Sequence, residues 1–146
     1  MPEGAWVEYP MEVVWEGDKR FRGGRPGGGT VLVDGGREVA PSPVEAMIVC
    51  IASCSSVDVV EILTKRRTPV QRLEVSVRFA RATSDPRRLT AIHMVFRVTT
   101  AAEEHHVARA VELSVQKYCS AIHSLADDID IKWDIEVQSA DAIAVE

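Results

Sequence analysis

An α+β fold is predicted for this 146-residue chain. Three observations predict it. Two segments alternate apolar and polar residues across a short turn, a long stretch is apolar all round at helical spacing, and a second helical stretch leads into a closing strand. The predicted order is β-β-α-β-β-α-(α)-β. The length suits one domain over residues 1–146, with no internal repeat and no interdomain linker.

The first two strands are read from MEVVW and TVLVDGG, on either side of GGRPGGG. That glycine-rich turn lacks the GK[ST] ending of a phosphate loop, and a strand rather than a helix follows it, so it is read as a loose hairpin connection. The stretch APSPVEAMIVCIASCSSVDVVEIL then carries strong helix-start signals. Ser42 is the N-cap, Pro43 suits the first helical position, and Glu45 completes an S-x-x-E capping box. The helix is expected to end near Lys65, at KRRTP. Val44, Met47, Ile48, Val49, Ile51 and Ala52 surround its axis, a pattern expected of a helix covered on every side.

Leu73, Val75, Val77 and Phe79 alternate with polar residues, as do Ile92, Met94, Phe96 and Val98; TSDPR joins the two runs into an antiparallel hairpin. AAEEHHVARAVELSVQKY forms the second helix, with Val107, Ala110, Val111 and Ser114 along one stripe. A shorter helical piece, SAIHSLADD, follows Cys119. The chain closes on IDIKWDIEVQ, where Ile131, Trp133, Ile135 and Val137 alternate.

Composition bounds the function. The net charge of -5 argues against a general nucleic-acid binder. The densest basic run, TKRRTPVQR, reads as a helix C-terminus, where cations complement the helix dipole. The N-terminal residues show no basic and apolar leader, and no apolar run approaches the roughly 20 residues of a membrane span. Three cysteines do not suggest a disulfide framework. A cytoplasmic protein with reduced thiols and no membrane partner is expected.

The thiols have three readings. Cys54, mid-helix, and Cys119, at a break between helical pieces, are small buried hydrophobes, metal ligands or a redox pair. The chain has no C-x-x-C or H-x-x-x-H, so no metal site is expected. A redox pair needs two thiols brought together by the fold. Cys50 and Cys54 both project outward from one helix, whereas Cys54 and Cys119 come from different elements and can meet. Cys50 is assigned to core packing. Asp58, one turn after Cys54, would raise the thiol pKa unless it has a partner or faces away. His123, four residues after Cys119, is a candidate proton acceptor or donor, while His105 and His106 are read as solvated.

WEGDKRFRGG, GTVLVDGG, APSPVEAMIVCIASCSSVDVVEIL and ARAVELSVQKYCSAIHSL together resemble the OsmC/Ohr superfamily, in particular its small YhfA-like branch. The specific signal is SP-x-E, a cysteine nine residues after the Glu, D-V-V-x-I-L, and the later K-Y-C. The resemblance implies an OsmC-like fold: curved antiparallel sheets wrapped around central apolar helices in an intertwined homodimer. It also implies a thiol peroxidase acting on organic hydroperoxides, with Cys54 attacking and Cys119 resolving, an external dithiol as reductant, and no cofactor. Such enzymes hold the thiolate with an N-terminal arginine, here Arg22, Arg25 or Arg37, and a glutamate positions that arginine. Glu45 lies one residue off the family's spacing for it. A non-enzymatic small-molecule-binding or oxidant-sensing dimer is the alternative, and a structural dimer with inert thiols the third reading. A substrate site beside the helix is expected to be lined by Met47, Ile48 and Ile51.

Overall fold

The computed structural model describes residues 3–140. They fall into two compact units, one ending at Met47 and the other beginning at Ile48, and the long helix begins in the first and continues into the second.

The first unit is an antiparallel three-stranded sheet, β1 (Glu12–Trp15), β2 (Arg20–Gly24) and β3 (Thr30–Asp34), in that spatial order. The sequence reading missed β2. Its residues, RFRGG, carry two arginines and two glycines and give no hydrophobic alternation. Two tight turns create it. Between β1 and β2, Gly17 at φ 100° and Asp18 at φ 46° reverse the chain, and Arg20 N–H closes onto Gly17 O at 2.9 Å. Between β2 and β3, Gly28 N–H bonds Arg25 O at 3.0 Å, with Pro26 second and Gly27 third at φ 75°. That is a type II turn with its preferred residues: a hairpin connection forms as expected, but it is tight and joins β2 to β3, and Gly23 and Gly24 lie within β2.

Asp34 ends β3 and shapes the loop to the helix. Its carboxylate accepts hydrogen bonds from the backbone N–H groups of Gly36 (2.8 Å), Glu38 (3.0 Å) and Val39 (3.1 Å). Burial pushes this carboxyl up, but the three amides and the Arg20 charge together hold it below its ordinary value. At the end of the loop the predicted capping box forms: Ser42 N–H donates to Glu45 Oε1 at 2.9 Å, and Glu45 N–H to Ser42 Oγ at 3.1 Å.

Helix α1 runs Pro43–Lys65. By length and composition it is apolar enough to cross a membrane, which corrects the expectation that no apolar run approaches that length. Its hydroxyl residues are accommodated by bonding back one turn: Ser53 to Val49 O (2.6 Å), Ser55 to Ile51 O (2.9 Å), Ser56 to Ala52 O (2.7 Å) and Thr64 to Val60 O (2.7 Å). The helix stops in a Schellman arrangement. Thr68 N–H reaches Leu63 O, Arg67 N–H reaches Thr64 O, and Arg67 takes the left-handed position at φ 64°.

In the second unit, β4 (Val70–Arg81), β5 (Leu89–Thr100) and β6 (Asp130–Ser139) form a sheet with β5 central. The β4–β5 pair is the expected antiparallel hairpin, with Val77 opposite Met94 and Phe79 opposite Ile92. The β5–β6 pair is parallel, so this sheet is mixed where antiparallel pairing throughout was expected. The cause is the connection: the helical segments between β5 and β6 carry the chain from the Thr100 end of β5 back to the end where β5 began, a route hairpins do not need. Ile92, Met94, Phe96 and Val98 are buried in the core, as are Val107, Ala110 and Val111 of α2 (Glu104–Leu113). On the sheet's exposed face, Arg97 bonds Glu136 (3.0 Å) and Ser76 (3.0 Å), joining all three strands.

The cover expected around α1 is incomplete in the single chain. Ile48, Ile51, Ala52, Val59 and Leu63 are buried, whereas Met47, Val49, Val57 and Val60 are exposed. All four residues of β1 are exposed as well, among them Trp15.

Candidate thiol site

Helix α2 does not end as an α-helix. Residues Ser114–Tyr118 form a π-helical turn, closed by Cys119 N–H bonding Ser114 O at 2.8 Å, five residues back. One residue added to a turn rotates every later side chain by roughly 100° around the axis. The π turn therefore sets the direction of Cys119, which also caps the short helix α3 (Ser120–His123) by accepting from Ile122 N–H at 3.5 Å.

Cys119 is fully buried. Its sulfur lies 3.3 Å from Ser55 Oγ of α1. Burial pushes this thiol up, Ser55 and the Ile122 amide pull it down, and Cys54 pushes it up both as a hydrogen-bond partner and by its charge, leaving it above its ordinary value. The fold thus brings Cys54, half-buried on α1, and Cys119 together.

Asp58 has the partner that the sequence reading required: Ser114 Oγ donates to its Oδ2 at 2.7 Å. The same hydroxyl lies 2.9 Å from Ser55 O. Ser55 and Ser114, both fully buried, are the site residues that the sequence reading missed. Their signal was available: a serine beside Cys54 in an otherwise apolar helix, and a serine on the apolar stripe of α2.

The other candidates have surroundings of their own. Cys50 is exposed, which corrects its assignment to the core: it sits on the face of α1 that the chain leaves open. Ile48 and Ile51 are buried, so of the three residues expected to line a substrate site only Met47 is exposed. Arg22 Nε pairs with Glu16 at 2.9 Å and its Nη1 donates to Thr30 Oγ1 at 3.3 Å. Arg25 stacks its guanidinium on Tyr9 at 4.0 Å, and Arg37 occupies a left-handed position at φ 57°. Glu45 is occupied by the cap; the Ser42 amide foremost, then the Ser42 side chain and the Arg37 charge, lower its pKa against the effect of burial. His123 is exposed.

Glu103, His105 and His106 place potential metal-ligand atoms within 4.8 Å of one another at the start of α2, on a segment separate from the thiols. His106 is half-buried rather than solvated, and the Arg66 guanidinium lies 2.7 Å from its Nε2, a cation already held where a metal ion would add a second positive charge. Burial, followed by the Arg66 charge, lowers the His106 pKa.

The sequence model of the family described as OsmC-like protein matches residues 34–134, which include Glu45, Cys54 and Cys119 but not Arg22. The chain belongs to the OsmC-like protein family. Protein YhfA of Escherichia coli (strain K12) is 38% identical over 130 residues, covering 88% of this chain and 97% of the relative. Among solved structures, a hypothetical protein of Aquifex aeolicus VF5 superposes with a TM-score of 0.81 at 26% identity, covering 92% of this chain and 98% of its own. The organic hydroperoxide resistance protein OhrB of Bacillus subtilis superposes with a TM-score of 0.60 at 13% identity, covering 89% of this chain and all of its own, and shows the shared fold.

Proposed function

We propose that this OsmC-like protein is a thiol peroxidase of organic hydroperoxides, working through Cys54 and Cys119. The observation that carries the reading is the pair itself: a half-buried thiol on α1 next to a buried thiol set by a π turn. The Cys54 thiolate attacks one peroxide oxygen and the O–O bond breaks. The alkoxide takes up the Cys54 proton and leaves as an alcohol, and the sulfur becomes a sulfenic acid. Cys119 then attacks that sulfur, the S–O bond breaks, and the departing hydroxide takes the Cys119 proton to become water. An external dithiol returns two electrons and two protons. Family membership and the named hydroperoxide-resistance fold relatives support the substrate class.

The working form is proposed to be a homodimer in the cytoplasm. The exposed Val49, Val57 and Val60 of α1 and the exposed β1 supply apolar surface for a second copy. Cys50 and Val57 lie on the α1 face that carries Cys54, one turn to either side, so hydrocarbon next to the reacting sulfur favours an alkyl peroxide over hydrogen peroxide. Arg22, the candidate thiolate-holding residue, has Glu16 as its partner, and this favours the second reading, a non-enzymatic dimer that binds a small molecule or senses oxidants. Intact mass after a stoichiometric cumene hydroperoxide pulse separates the two readings. Loss of two hydrogens is expected, and an unchanged mass overturns the peroxidase.

A further inference from the structure

We propose that Ser55 is the positioning residue of the resolving step, its hydroxyl proton turning from Ile51 O to Cys119 Sγ as that thiol ionises. The role rests on the reading of Cys54 and Cys119 as a peroxide-reducing pair. Ser55 Oγ stands 2.9 Å from Ile51 O and 3.3 Å from Cys119 Sγ. A hydroxyl has one proton and two lone pairs, so it can satisfy both neighbours in either state of the sulfur. With Cys119 protonated, the S–H donates to Ser55 Oγ and the Ser55 O–H donates to Ile51 O. With Cys119 ionised, the O–H turns to the sulfur. Ile51 O is not orphaned, because it remains the helical acceptor of the Ser55 amide.

The surroundings favour this assignment. Cys119 and Ser55 are both fully buried, so water does not stabilise the thiolate in place of the hydroxyl. The other donor to the sulfur, Ile122 N–H, is long at 3.5 Å. Ser55 is also fixed from the opposite side, because its carbonyl lies 2.9 Å from Ser114 Oγ at the start of the π turn that sets Cys119. Among the described residues of this unit, Cys54 of α1 acts on Cys119 by its charge, and Asp58 of α1 is bound to Ser114. Lys117, Tyr118 and His123, on the Cys119 segment, are exposed. The proton released by Cys119 leaves with the hydroxide displaced from the Cys54 sulfenic acid, so the step needs no further acid or oxidant.

The test separates Ser55 from the cycle. In protein carrying Cys50→Ser and Cys54→Ser, thiolate absorbance near 240 nm titrates Cys119 alone. Adding Ser55→Ala is expected to move the midpoint upward by about one pH unit, and Ser55→Thr, which keeps the hydroxyl, to restore it. An unmoved midpoint overturns the proposal whether or not the protein consumes peroxide. In protein with Cys54 intact, Ser55→Ala is expected to slow disulfide closure about tenfold relative to Cys54 oxidation, with the closure profile displaced to higher pH. Should Ser55→Ala not fold, the S–H Raman band of Cys119 in the Cys50→Ser, Cys54→Ser protein decides. A hydrogen-bonded frequency supports the contact, and a free-thiol frequency overturns it.

Discussion

Ser114 donates its hydroxyl to Asp58 at 2.7 Å, and this bond ties the start of the π turn to the helix that carries Cys54. It also gives the Asp58 carboxylate a donor on the α2 side. Asp58 stands one turn from Cys54, and an unpartnered carboxylate there would oppose thiolate formation. Ser114→Ala is therefore expected to destabilise the fold by about 1–2 kcal/mol, the range for a bond to a charged group that keeps partial solvent access. Urea denaturation measures it. Asp58→Asn, which can still accept that bond, is expected to cost less than Ser114→Ala.

The three cysteines separate by burial, and their variants should separate too. Cys54→Ser is expected to abolish peroxide consumption, and Cys119→Ser to stop after one turnover with a sulfenic acid that dimedone traps. Cys50→Ala is expected to keep its activity, because that thiol is exposed and not joined to the pair. Peroxidase kinetics and labelled mass spectra distinguish the three. Loss of activity in Cys50→Ala equal to that in Cys54→Ser would reassign the pair.

The open face of α1 governs assembly. Light scattering at micromolar concentration is expected to give a dimer, and Val57→Glu to give monomers, because it places a charge on that apolar face. Non-reducing gels after a peroxide pulse should show single chains, since the proposed disulfide closes within one subunit.

Acid is expected to weaken the fold through Asp34 and Glu45. Both carboxyls have folded-state pKa values below their ordinary 3.8 and 4.5, so their stabilisation is present above those values and is lost as the pH falls through the lower folded ones. Urea midpoints should fall on acidification, and Asp34→Asn or Glu45→Gln should lower the neutral midpoint and flatten the acid limb. Ser42→Ala, which removes the other half of the capping box, is expected to cost about 1 kcal/mol.

The end of α1 allows a gain. Arg67 holds a left-handed position that glycine adopts without strain, so Arg67→Gly is expected to stabilise by about 0.5–1 kcal/mol, after the extra freedom glycine brings to the unfolded chain. Thermal melts measure it.

The sequence by itself determined the elements whose signals are local. Ser42, Pro43 and Glu45 mark the start of α1 because a capping box is made within one turn, and the residues at Lys65 and beyond mark its end for the same reason. The alternation in β4, β5 and β6 shows which side chains turn inward, because a strand repeats every two residues. The family motifs singled out Cys54 and Cys119. Pairing direction is not local: β6 runs parallel to β5 because of the path between them, which no residue within either strand encodes. Strand β2 depends on turns at both ends and has no apolar pattern of its own. Cys50 and Cys54 look alike one turn apart, and only packing exposes the first and sets the second beside Cys119. That meeting depends on one extra residue in the turn before Cys119, a backbone choice that tertiary contacts at Ser114, Ser55 and Asp58 hold in place.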